Sequence, residues 1–497
     1  MTQSLDVYLP MDRRQALVRG VPIPEQSAGV ALLADVAGFT PLAEVLVRAL
    51  GPLRGAEEVT ALLNQAYGAL IAAVDTFGGS VVCFSGDAIT CWFAPPKEGG
   101  VAHDATLPAT SVALRATACA LAMQHAMGAF AAIPLPGGAT AALSVKVAVV
   151  AGGARRLLVG DPSLQRYEVL AGGLLDRLAA LQHQACSGEV LLEEALGRQL
   201  DARLCAARRE TPSGESVVAV TGLADAVAPH PWPPLPTTLA DDVCKQWLLP
   251  AVAARLAHTP SHFLAELRPA VALMLEFHGL DYDADERAGT HLDAYIRWVQ
   301  QIVARYQGAL IDLTMGDRGS YLYAVWGAPE VHDDDATCAV AAARELLAPP
   351  QEFHWLAQVR IGMARGTLWS GAYGGPTRRT YGVLGDATNL AFRLMSKAPA
   401  SALWCDYAVA RAAERGWAFA GLPPVRVKGK AGLIRVYEPL VPSEHRAPPA
   451  DSPLVGRVAE QAQLAAVLDA VAAGGSRVVV LEGEAGIGKS RLVGELA

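Results

Sequence analysis

Cysteine is sparse in this chain of 497 residues: there are eight, scattered without the paired spacing of a zinc site. Such usage predicts a reduced compartment and no disulfide framework. Basic charge is short as well. Lys and Arg number 41 against 49 Asp and Glu, a formal net charge of −8, which excludes the broad basic footprint of a nucleic-acid binder. Strongly apolar runs of membrane length are missing too. Hydrophobic residues make up 52 % of the chain, but many are alanine, and residues 116–136 are interrupted by Gln124, His125 and Gly128. That stretch predicts a packed helix and no membrane insertion. The N-terminus has no basic segment followed by an apolar run, so no secretory signal is expected. The reading is a cytoplasmic protein of about two to four domains.

What is present is a pattern written twice. In the first half, the apolar run 31–34 leads into Asp35-Val36 and continues Ala37-Gly38-Phe39-Thr40-Pro41; a second run, 81–84, leads into Ser85-Gly86-Asp87. In the second half, 271–276 ends on Glu276, and 310–315 leads into Gly316-Asp317. The second half then carries Gly385-Asp386-Ala387-Thr388-Asn389-Leu390-Ala391-Phe392-Arg393, whose counterpart from Gly172 to Ala180 lacks the Asn/Arg pair. Asn389 and Arg393 stand one helical turn apart and share a face. One half brings paired carboxylates and the other brings polar groups, as for a single site shared between two homologous domains. Each feature also has an ordinary reading: a helix-initiating turn at Asp35, a hairpin tip at Asp87, a solvated helix face at Asn389.

Breaks organise the chain. The stretch 228–236, with five prolines, sustains neither helix nor central strand. Residues 1–24 form an N-terminal segment, 25–224 a first domain, 225–262 a Pro-rich linker with a helical segment, and 263–440 a second domain. A second linker, 441–453, precedes residues 454–497. Within each domain, β-type runs (145–150; 359–364) alternate with helical stretches (43–50; 336–347), an α/β (α+β) layering. Thr40 reads as an N-cap with Pro41 in the first helical position, a turn suited to a phosphate.

Near the C-terminus, Val478-Val479-Val480-Leu481-Glu482 predicts a buried parallel strand before Gly483-Glu484-Ala485-Gly486-Ile487-Gly488-Lys489-Ser490. That is the G-x-x-x-x-G-K-S loop, whose amides cradle phosphates while Lys489 reaches the terminal ones. Only seven residues follow Ser490, so the expectation is the truncated start of a P-loop NTPase domain.

The Asp35 and Asn389–Arg393 motifs, in this order, resemble those of the class III nucleotide cyclases, and most closely the soluble adenylyl cyclase branch, in which two cyclase domains precede an ATPase domain. The resemblance covers about residues 25–440. It implies two ferredoxin-like domains packed as a pseudo-symmetric dimer within one chain, acting on ATP with two Mg2+ (or Mn2+). Hard cations want oxygen ligands, and the resemblance assigns them to Asp35, Val36 and Asp87. It further implies Asn389 orienting the ribose and Arg393 neutralising charge on the α-phosphate. The positions that meet substrate are Gly38, Phe39, Thr40, Gly86, Asp312, Gly382, Val383, and one of Lys428 and Lys430.

The chain departs from the family at three places. Asp312 stands where a lysine reads adenine, and Gly382 where its Thr or Asp partner stands, which leaves ATP and GTP both open. Cys83 and Ala179 stand where bicarbonate-stimulated relatives place a lysine and an arginine, so that control is not expected. The alternatives are a guanylyl or mixed-specificity cyclase, or a catalytically silent nucleotide-binding module regulating the ATPase.

Overall fold

The structure is a computed structural model, and it describes residues 4–94, 109–136, 138–211, 214–258, 265–315, 319–427, 430, 432–442, 456–472, 474–476, 478–481 and 492. Two units make up the chain, Met1–Pro442 and Ser443–Ala497.

In the first unit the duplication is complete down to strand order. The strands of the first half are β1 (Gln26–Ala37), β2 (Ser80–Ser85), β3 (Ala88–Phe93), a short hairpin of β4 (Ile133–Pro134) and β5 (Thr140–Ala141), β6 (Ser144–Val159), β7 (Tyr167–Ala171), β8 (Val190–Glu193), β9 (Leu204–Glu210) and β10 (Ser216–Leu223). Those of the second are β11 (Glu266–His278), β12 (Ala309–Thr314), β13 (Ser320–Trp326), β14 (Gln358–Gly374), β15 (Arg379–Leu384), β16 (Leu403–Asp406), β17 (Trp417–Arg426) and β18 (Leu433–Pro442). One sheet runs β2-β3-β1-β6-β8-β10-β9 with β7 beside β6; the other runs β12-β13-β11-β14-β16-β18-β17 with β15 beside β14. Element for element, the two orders coincide.

Helices cover these sheets. The first half has α1 (Met11–Arg19), α2 (Phe39–Leu50), α3 (Pro52–Thr76), α4 (Ala109–Met127), α5 (Gly173–Gln184) and α6 (Glu194–Leu200). The connector holds α7 (Asp241–Cys244) and α8 (Pro250–His258), and the second half α9 (Ala288–Arg305), α10 (Asp335–Leu346), α11 (Asp386–Lys397) and α12 (Tyr407–Ala413). The central strand β1 is apolar on both faces because both are covered. Val30, Leu32, Ala34 and Val36 enter the core shared with α3 and α4, whereas Ala31 faces the layer of α5. α4 is the packed helix expected of the alanine-rich stretch as far as Met127; beyond it the chain makes a 3-10 turn at Gly128–Phe130 and enters β4.

The cores of the two halves interlock. Trp369 and Tyr373 of β14 are buried in the first half's core, and Leu157, Val159, Tyr167 and Val169 of β6 and β7 in the second's. Polar bonds repeat the exchange. Asn64 of α3 accepts from Gly374 N at 3.1 Å, and Asp293 and Gln300 of α9 accept from the amides of Gly160 and Asp161 at 2.8 Å. The proline-rich stretch is irregular, as expected, and Trp232 within it donates to Gly79 O at 2.6 Å. α1 is tied in by buried ion pairs of Arg13 with Glu168 and of Asp12 with Arg156.

In the second unit, α13 (Val458–Ala472) is a regular helix. Residues 478–481 are not a strand, contrary to expectation: Val478 and Val480 are 92 % and 82 % exposed. A parallel strand needs neighbouring strands for its amides and carbonyls, and the described residues of this unit supply none. Gly483, Gly488, Lys489 and Ser490 lie outside the described residues, as does Lys428. Among the described residues, no helix is long and apolar enough to cross a membrane.

Candidate functional site

Asp35, near the end of β1, lies in register opposite Lys146 of β6. Lys146 Nζ is 3.1 Å from Asp35 Oδ2, and the Gln182 amide of α5 donates to the same oxygen. Asp87 sits at the tip of the β2–β3 hairpin, after Gly86 at φ +64°. The Val36 amide donates to Asp87 O at 2.9 Å, stapling the tip to β1. The surrounding protein, and then the Asp35 carboxylate, push the Asp87 pKa up to about 6. Two carboxylates facing a single ammonium leave an excess of negative charge and oxygen donors, which suits a hard cation. Among the described residues no group of three or more His, Cys, Asp and Glu could hold a metal ion by itself.

The following turn differs by two residues from its expected form. Gly38, at φ +95°, is the N-cap of α2, and the helix begins at Phe39. Thr40 is therefore the second helical residue and not the cap. The chain turns at Gly38 because a Cβ there would stand 2.5 Å from Ala142 O. Phe39 is buried in the core, so only its backbone is left to face a ligand.

Asp312 follows a bulge in β12. Its carboxylate accepts from Leu313 N at 2.8 Å and from Thr314 Oγ1 at 3.2 Å, and Thr314 also bonds Ser85 Oγ of the other half at 2.9 Å. Burial pushes the Asp312 pKa up to about 7. Gly382 and Val383 lie on β15, where Val383 O accepts from Tyr323 OH at 3.2 Å. Ala387, Leu390, Ala391 and Leu394 bury one face of α11, leaving Asn389 and Arg393 half-buried on the other. Lys430 pairs with Asp386 in the first turn of α11.

A cavity of about 290 Å3 brings several of these together: Gly86 and Asp87 from the first half face Asp312, Gly382, Val383 and Asn389 from the second. Met274, Ile311 and Phe392 are among its apolar walls. Asp35 lines an adjoining cavity of about 530 Å3, and Asp87 borders both. Arg393 and Lys430 line neither. Lys146, Gln182 and Tyr373 escaped sequence reasoning. Lys146 is the one charge in the apolar run 144–151, but only the register of β6 against β1 sets it beside Asp35.

The mirror position is filled by the protein itself. Glu276, counterpart of Asp35, is paired with Arg360, and His278 Nε2 lies 2.9 Å from it. Asp283 accepts from Gly173 N, at the start of α5, at 2.8 Å. Burial pushes the Cys83 thiol up to about 11, and Arg177 is bonded to Glu193.

Residues 453–497 match the AAA ATPase domain family. The chain is 24 % identical over 521 aligned positions to adenylate cyclase type 10 of Rattus norvegicus, covering 94 % of this chain and 30 % of that protein. It is also 24 % identical over 448 positions to adenylate cyclase type 10 of Homo sapiens, covering 84 % and 27 %. It thus spans about three tenths of the length of these curated relatives. Among solved structures, a class III adenylyl cyclase-like ATP-binding protein from Pseudomonas aeruginosa superposes with a TM-score of 0.50 at 14 % identity, covering 78 % of this chain and 85 % of that one. With the duplicated sheets, these likenesses show that the first unit has the class III cyclase fold written twice and that the chain is similar in sequence to the adenylate cyclase type 10 proteins.

Proposed function

We propose that the first unit is a nucleotide cyclase that converts ATP to 3′,5′-cyclic AMP and pyrophosphate at the interface of its two halves. The observation that carries this reading is the shared cavity, in which Asp87 of one half faces Asp312 and Asn389 of the other.

In the reaction the ribose 3′-oxygen bonds to the α-phosphorus, the bond from that phosphorus to the bridging oxygen breaks, and pyrophosphate leaves while the hydroxyl proton passes to solvent. Asp35, Val36 and Asp87 would hold two Mg2+ or Mn2+, which supply charge neutralisation and a more acidic 3′-hydroxyl. The chain's own groups do the rest. The first-turn amides after Gly38 offer donors to phosphate oxygens. Lys146 and Lys430 add positive charge for the outer phosphates. Asn389 orients the ribose, and Arg393 acts where charge grows on the α-phosphate, once α11 closes toward the nucleotide.

A second reading, mixed base specificity, is favoured by Asp312. As a carboxylate it accepts from the adenine amino group or from guanine N1 and N2; protonated, it donates to guanine O6. Incubating the chain with ATP or GTP and Mn2+, with mass identification of product, tests both. Cyclic AMP alone supports the first reading, and both cyclic products the second. Tight ATP binding without pyrophosphate release would make the unit a silent nucleotide-binding module.

A further inference from the structure

Tyr373 belongs to β14 of the second half, yet its ring is buried in the first half's core. It lies 5.2 Å from the Tyr67 ring and 5.6 Å from that of Phe84, edge-on to the latter, with Trp369 at 5.9 Å. The packing holds the ring on both sides. One edge faces Gly382, where an added Cβ would meet Tyr373 Cε1 at 2.6 Å. At the far end the hydroxyl donates to Gly86 O at 3.2 Å. Gly86 is the residue before Asp87, in the turn that joins β2 to β3.

We propose that Tyr373 is a positioning residue for the metal-bearing turn, and that it ties the geometry of Asp87 to the wall of the purine pocket. The inference rests on the cyclase reading and extends it to a residue that lines the same cavity and acts on Asp87 through the turn it supports. A glycine turn has wide conformational freedom. Besides the contact of Ser85 Oγ with Thr314 Oγ1 at its start, two described anchors hold the centre of this one, Val36 N on Asp87 O and the Tyr373 hydroxyl on Gly86 O. The first fixes the backbone of Asp87 against β1. The second fixes the preceding peptide, and with it the direction in which the Asp87 carboxylate leaves the turn. Because the second anchor comes from the other half, Asp87 is held in place only when the halves are packed together. Gly382 is then a glycine because the ring that supports the turn occupies the space a side chain would take.

The test is Mn2+ binding to the full chain, read by electron paramagnetic resonance of the free ion, alongside the Mn2+ dependence of turnover. Tyr373→Phe keeps the ring and removes the hydroxyl; Tyr67→Phe removes a hydroxyl from the same aromatic cluster and reports general loosening; Asp87→Asn removes the ligand. The expected result is that Tyr373→Phe weakens Mn2+ binding about two- to tenfold, the worth of one neutral hydrogen bond, with the Mn2+ concentration for half-maximal turnover rising in parallel. Tyr67→Phe keeps wild-type affinity. Wild-type Mn2+ affinity in Tyr373→Phe, or equal weakening in Tyr67→Phe, overturns the proposal. Unchanged Mn2+ binding in Asp87→Asn overturns the metal assignment itself, and the role of Tyr373 falls with it.

Discussion

A methyl group added to Gly382 would lie 2.6 Å from Cε1 of Tyr373, so the position across from Asp312 is empty because an aromatic ring already fills it. Rebuilding the family's usual base-reading partner there is blocked. The Gly382→Thr variant is expected to lose about 1–3 kcal/mol of stability, as for overpacking a filled core, and to gain no nucleotide affinity. Thermal unfolding and nucleotide titration together check this. A variant as stable as wild type would mean that the ring yields.

Asp312 makes stability depend on pH. Burial raises its folded pKa from 3.8 to about 7, so between those values the folded state holds a proton that the unfolded state has released. The stabilisation is therefore fully present near pH 4 and is lost as pH rises through about 7. Asp312→Asn removes this titration. The melting temperature of the variant minus that of wild type is expected to grow from pH 5 to pH 8 by several degrees, whereas a constant difference would place the carboxylate in bulk water.

Asp35→Asn and Asp87→Asn keep the shape of each side chain while removing its charge. Both are expected to lower turnover by more than about a thousandfold with Mg2+, since charge stabilisation in such sites is worth several kcal/mol. Melting temperatures should stay within a few degrees, because Asp87 lies at an exposed hairpin tip and Asp35 is only partly buried. Near-normal turnover in either variant would remove that residue from the metal site.

Much of this was legible in the sequence, for definite reasons. Duplication of the Asp35 and Glu276 runs announced two like domains, and the proline-rich stretch marked their junction. Asn389 and Arg393 could be set on one helical face by spacing alone. Three things were hidden. The pairing of Lys146 with Asp35 depends on strand register, which no local pattern specifies. The part played by Tyr373 depends on the C-terminal end of β14, a strand of 17 residues, reaching the other half's core. The start of α2 shifted because a close backbone contact at Gly38 outweighed the capping preference of Thr40. The valine run at 478–481 is strand-like in composition, but composition does not supply neighbours.

Arg393 and Lys430 offer a division of labour that kinetics can resolve. Lys430 is held at the first turn of α11 by Asp386, the end of the helix where anions are favoured. A cation there meets the outer phosphates in ground state and transition state alike. Lys430→Ala should raise KM about three- to tenfold and leave kcat within about twofold, the signature of uniform binding. Arg393 lies about two turns further along the helix and lines neither cavity. If it engages only as charge develops on the α-phosphate, Arg393→Ala should lower kcat by about a hundredfold or more with KM little changed. The reverse split, with KM rising in Arg393→Ala and kcat falling in Lys430→Ala, would exchange the two roles. Loss of neither parameter in Arg393→Ala would leave its charge as part of the solvated face of α11, and transition-state stabilisation would then rest on Lys146 and the first-turn amides of α2.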